Sequence, residues 1–276
     1  MIRKLRRIAL ILVLLLLAGF LLFQLFGPRP SLDREWKKGD ERLAWADFEG
    51  RQVRVHNLRN ARYRSVDDFD VAWEERTYDL DRLRSAWFVV EPFSDYRGPA
   101  HTFMSFGFEG GDYLAVSVEL RKEEGETFSP LLGLLRQYEL MYVVGDERDL
   151  IQLRTNHRHD QVYLYPVRAP RERIEQMLVS MLRRANGLRE EPEFYNTLTS
   201  SCTTNIVSHV NELVPGRVPL SYKVLLPAYS DELAYDLGLI DTDLPFAEAK
   251  QRFNINDEAL RYAGREDFSR GIREGL

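Results

Sequence analysis

The sequence predicts an α+β domain carried behind one membrane-spanning helix. Three observations predict it: an apolar run from Ile8 to Phe26, short β-rich segments that dominate from Gln52 onward, and helical periods interleaved with strands in the second half. A hydrophobic content of 44% with 29% charged residues lies in the range of folded domains and argues against wholesale disorder.

The apolar run is broken only by Gln24 and follows Arg3, Lys4, Arg6 and Arg7. About 20 apolar residues cross a hydrocarbon core, so its length suits a transmembrane anchor (8–26) after a cytoplasmic basic tip (1–7). A cleaved signal peptide has a shorter apolar centre and ends at a small-x-small site. Phe23-Gln24-Leu25-Phe26-Gly27-Pro28 offers none, so the anchor is expected to stay. Residues 27–47 are polar and Pro-punctuated and read as a stalk.

The domain proper is expected over 48–241. Ala86–Val90, His101–Phe108 and Tyr113–Leu120 read as strands, the last two joined through Gly110-Gly111 as a hairpin. Leu131–Leu140 reads as a helix, followed by strands near Met141–Val144, Leu150–Leu153 and Val162–Val167. Arg171–Ala185 carries Ile174, Met177, Leu178, Met181 and Leu182 at helical spacing, with Gly187 as its stop. A further helix begins near Cys202, with Ile206, Val207, Val210, Leu213 and Val214 on one face and Pro215-Gly216 at its end. Residues 242–276 read as a polar extension of surface helix and tail.

Setting the four cations of the tip apart from the net charge of −5 leaves the remainder near −9. Nucleic acid is therefore not an expected partner, since phosphate binding needs clustered cations. A lone cysteine in an exported chain cannot form an internal disulfide and is either a buried inert thiol or a reactive one. Ser200 or Ser201 can cap the helix that follows, placing Cys202 in its first turn. The free N–H groups and positive dipole end there favour a thiolate and can hold an oxyanion.

A thiolate nucleophile works with a histidine, and five are present. His209 is seven residues past Cys202, about 10 Å along a helix and out of reach, so it reads as a surface or packing residue. His157 and His159 lack further metal ligands, so neither metal nor cofactor is expected. His56 has no evident partner, whereas His101 opens the central hairpin and is the best placed.

Four segments carry a resemblance. His101-Thr102-Phe103-Met104-Ser105-Phe106-Gly107-Phe108 with Val116–Glu123, Gly145-Asp146-Glu147-Arg148-Asp149-Leu150-Ile151, and Tyr195–Asn205 around Cys202 resemble the bacterial Lnb-type N-terminal periplasmic domain family, over roughly Trp45 to Asp241. That family is similar to permuted papain-like enzymes, including lecithin:retinol acyltransferase-like proteins, in which the histidine hairpin precedes the cysteine helix. The resemblance implies a permuted papain-like domain, an antiparallel sheet with a cysteine-bearing helix. It also implies catalysis by Cys202 with His101, and transfer of a fatty acyl chain to lipoproteins through a thioester. The implied location is the bacterial inner membrane, single-pass, with the domain in the periplasm. Full-length acyltransferases of this type carry several membrane helices after the domain, and none follows within these residues. A membrane protein is therefore a possible partner beside a lipid or lipoprotein substrate.

Glu119 is the candidate third member, orienting the His101 ring. A two-residue Gly110-Gly111 turn would send Glu119 to the opposite face, whereas one bulged residue would set it beside His101. An ion pair between Glu119 and Arg121 is the structural alternative. The sequence thus favours a thiol-dependent acyltransferase or hydrolase. A papain-like amidase or peptidase of the cell envelope and a non-catalytic tethered binding domain stand as alternatives.

Overall fold

The computed structural model describes residues 2–93 and 98–276; Met1 of the basic tip lies outside them, as do the side chains of Arg3 and Gln24. The chain enters through helix α1 (Ile2–Phe26), long and apolar enough to cross a membrane. Strands β1 (Trp45–Glu49), β2 (Gln52–Arg59), β3 (Arg62–Tyr63), β4 (Phe69–Asp70), β5 (Trp73–Asp79), β6 (Leu83–Pro92), β7 (Ala100–Phe108) and β8 (Tyr113–Arg121) follow. The second half holds β9 (Glu139–Gly145), α2 (Glu147–Gln152), β10 (Tyr163–Pro166), α3 (Arg171–Glu190) and α4 (Cys202–Leu213). Five short helices come last: α5 (Tyr222–Leu225), α6 (Ser230–Asp236), α7 (Phe246–Arg252), α8 (Asn256–Arg261) and α9 (Phe268–Gly271). The architecture is mixed α+β around one large sheet.

Among the described residues the sheet runs β1-β2-β9-β8-β7-β6-β10, with β5 on β2, and only the β2–β9 pairing is parallel. Side chains alternate across its faces. Met104, Phe106, Val116, Val118 and Tyr142 pack under α3 and α4, against Met177, Leu178, Met181 and Ile206. On the opposite face Phe103, Ala115, Met141 and Val143 meet Leu150 and Ile151 of the α2 helix.

The chain end completes that second core. Ile255, Ala259, Phe268 and Ile272 are buried in it, and Arg273 reaches the buried Glu147 at 2.6 Å. Residues 242–276 are thus a structural layer instead of a polar surface extension. Each such aromatic or aliphatic side chain stabilises by about 1.5–3 kcal/mol when fully buried.

Other expectations also change. Residues 27–47 are tied down along the ends of β8 and β9. Ser31 N–H donates to Glu139 at 3.1 Å, Arg34 pairs with Glu123 at 2.9 Å, and Trp36 stacks under Arg121. Leu131–Leu140 is no helix: a single 3-10 turn (Leu132–Leu134) follows Pro130, Arg136 adopts φ of 58°, and β9 takes the last residues. Leu131, Leu134, Leu135 and Tyr138 stand at helical spacing, but the leucines meet no packing face and stay exposed. Leu150–Leu153 is helical because Asp146 caps α2 by accepting the Arg148 N–H at 3.0 Å. The α3 helix runs through Gly187 to Glu190, carried by burial of Leu188.

Candidate active site

The site forms where β7 and β8 part. Their ladder ends at Phe103 opposite Ser117, while β6–β7 pairing continues to Ala100 and β8–β9 pairing continues to Arg121. The amino end of α4 packs against both strands there. The hairpin register that sets this geometry comes from a three-residue loop. Phe108 N–H donates to Asp112 O at 2.8 Å, and Gly110 and Gly111 take φ of 92° and 90°. That odd loop brings Glu119 to the His101 side.

Ser201 caps α4 in a capping box: its hydroxyl accepts from Thr204 N–H, and the Thr204 hydroxyl accepts from Ser201 N–H at 2.7 Å. Cys202 follows as the first helical residue and is 5% exposed. Its Sγ lies 3.8 Å from Thr203 Oγ1, which bonds Thr102 Oγ1 at 2.9 Å. Burial pushes the thiol pKa up, but a hydrogen bond and charge from His101, with further donors at Thr102, bring it below the usual value.

His101 is 7% exposed and stacks on Phe103 at 5.7 Å between centroids. Its Nε2 lies 2.7 Å from Ser117 Oγ and 3.0 Å from Glu119 Oε1, and Ser117 O–H donates to the same carboxylate oxygen at 2.8 Å. With Nε2 so engaged, Nδ1 is the ring nitrogen left for the sulfur. Burial disfavours the charged ring, yet Glu119 and Cys202 overcome it and raise His101 to about 9. Burial likewise raises Glu119, and His101 and Arg154 hold it well below the ordinary carboxylate range. The two shifts, Cys202 down and His101 up, both run toward an imidazolium–thiolate pair.

Behind the carboxylate lies a buried ion chain. Arg154 donates to Glu119 at 2.9 Å and to the fully buried Glu91 at 2.6 Å. Glu91 sits opposite His101 in the β6–β7 register. Tyr195 is buried nearby, where burial and the charges of Cys202 and Glu119 push its pKa up.

Sequence reading named Cys202, His101 and Glu119, and these three side chains converge. It missed Ser117, Arg154, Glu91 and Tyr195. Ser117 alone carried a signal, since it alternates with Glu119 on one strand face. Glu119 engages Arg154 and not Arg121, which donates to the carbonyls of Asp40 and Glu41 at 2.8 Å. Of the two readings of His209, packing holds: it is buried between Tyr142 OH and Ser180 Oγ at 2.8 Å each. His56 does find partners: Trp45 stacks on it, and Asp47 and Glu75 flank it at 3.0 and 2.6 Å. Among the described residues no group of three His, Cys, Asp or Glu side chains could hold a metal ion.

An apolar groove of about 240 Å³ starts one residue from the sulfur. Thr203, Ile206 and Val207 of α4 line it with Met104, Met177 and Leu233. It runs between the sheet and the α3, α4 and α6 helices.

Fold and site together define a class: an α+β domain with a cysteine, a histidine and a glutamate gathered at a helix amino end. The chain belongs to the Lnb N-terminal periplasmic domain family, which matches residues 69–228 and so takes in all three side chains. No curated protein and no solved structure matches it.

Proposed function

We propose that this chain is a membrane-anchored periplasmic enzyme, a cysteine-dependent acyltransferase or hydrolase of permuted papain-like type. On this reading α1 holds it in the bacterial inner membrane, and lipid-linked molecules or lipoproteins are its substrates, with a further membrane protein as partner. The observation that carries the proposal is the convergence of Cys202 at the α4 amino end with His101, whose far nitrogen rests 3.0 Å from Glu119.

The chemistry follows from that arrangement. The Cys202 thiolate attacks the carbonyl carbon of an acyl ester, and the oxyanion lies at the first-turn N–H groups of α4. His101 gives its proton to the departing alkoxide, leaving a thioester on Sγ. An incoming amine or water then attacks the thioester, His101 takes its proton, and the thiolate leaves. Glu119 keeps the ring oriented and its charge offset throughout. The adjoining groove supports an acyl chain over a polar peptide, because its lining is mostly apolar and begins at Thr203, the neighbour of Cys202.

Incubating the purified full chain with phospholipid tests this reading by intact mass. An acyl adduct absent in Cys202→Ala is the expected result. No adduct together with no thiol alkylation near neutral pH would refute it.

A further inference from the structure

The segment between β8 and β9 is unusual for a surface loop. Phe128, Leu131, Leu132, Leu134 and Leu135 are all exposed, Leu131 at 65% and Leu135 at 50%. Contiguous exposed apolar patches on a folded domain mark interaction surfaces. Leu198 adds to this one at 49%, since Thr197 beside it donates to Pro130 O at 2.8 Å.

Its position indicates what covers it. The Arg136 guanidinium lies 5.3 Å from the Phe23 ring centroid, one turn before the carboxyl end of α1. Ser31, five residues beyond that helix, bonds Glu139 at the start of β9, and five extended residues span at most about 17 Å. A helix of 25 residues is about 37 Å long against a hydrocarbon core of about 30 Å, so its last turn lies near the exit boundary. The leucines thus sit at the depth where the anchor leaves the bilayer. They also lean on the site: Gly133 has no room for a side chain because Thr197 Oγ1 would lie 2.5 Å from it and Tyr195 3.5 Å.

We propose that Phe128–Leu135, with Leu198, inserts into the periplasmic surface of the same bilayer as a second membrane contact. It thereby seats the segment leading to Cys202 at the lipid boundary. This rests on the anchored reading above but not on the acyl chemistry. Apolar side chains held at the interface by a tether bind there without a second spanning helix.

The test uses the full chain in phospholipid vesicles, with Cys202→Ser and single spin-labelled cysteines at Leu131, Leu135, Leu14 in the anchor and Val66 in the β3–β4 turn. All four native side chains are exposed, so labelling leaves the core intact. Labels at Leu131 and Leu135 should be relaxed by oxygen more than by a water-soluble nickel chelate, as at Leu14, and Val66 should show the reverse. Aqueous behaviour at Leu131 and Leu135 with Leu14 in lipid overturns the proposal while the anchor stands. Aqueous behaviour at Leu14 overturns the anchor and the proposal together. Spin–spin broadening at Leu131 without oxygen preference overturns it in favour of a second copy of this chain.

Discussion

Replacing Glu119 with Gln removes one negative charge and keeps the side-chain shape. The carboxylate oxygen is 3.0 Å from His101 Nε2, where an effective dielectric of about 20 gives about 5.5 kcal/mol before other charges are counted. Arg154 at 2.9 Å offsets part of that, so a drop of about 1–3 pKa units in His101 is expected. The sign is fixed by direction: a ring raised to about 9 keeps its proton until pH climbs through that value. In Glu119→Gln the ring loses basicity relative to the sulfur, and the neutral thiol–imidazole form gains by the same factor. Alkylation of Cys202, followed by intact mass from about pH 5 to about pH 10, reads this directly. The plateau rate near neutrality should fall about tenfold or more, since each pKa unit is worth about 1.4 kcal/mol. Rates should converge above the ordinary thiol pKa, where the sulfur ionises without help. Profiles that superimpose near neutrality would refute the role of Glu119.

Arg154→Met leaves Glu91 buried without its closest cation and should destabilise by about 3–5 kcal/mol in chemical denaturation; adding Glu91→Gln should recover part of it. Val207→Phe fills the groove and leaves the site residues in place, so adduct formation should drop about tenfold or more with long acyl donors and persist with short ones. Asp40 is raised by burial from 3.8 to about 6, despite Arg59 and Lys122 nearby, so its ionisation weakens the fold as pH rises through that window. Asp40→Asn should therefore stabilise by about 1–3 kcal/mol at neutral pH and by almost nothing below pH 4, measured by urea unfolding.

Local chemistry made the anchor, the His101 hairpin, α3 and the capped start of α4 legible, because each is written within a few turns of its own sequence. What stayed hidden depends on distant partners. Gly110-Gly111 suits loops of either length, so whether Glu119 faces His101 rested on one residue of register. Arg154 finds Glu91 across 63 positions, a pairing no local pattern carries. The Leu131–Leu140 segment misled because its leucines, at helical spacing, have no buried face to serve. Residues 242–276 misled in the opposite sense. Their apolar side chains are spread thinly between charges, yet Ile255, Ala259, Tyr262, Phe268 and Ile272 all enter the second core.

That late-closing core sets the timing of folding. The α1 helix is made first, but the sheet face bearing Phe103 and Met141, met early by Leu150 and Ile151, is completed only when residues 255–273 are present. A chain crossing a membrane behind its anchor would reach the far side with that face only partly covered. It would be held close to the bilayer by its own anchor, and its folding would wait for Phe268, Ile272 and Arg273 to arrive.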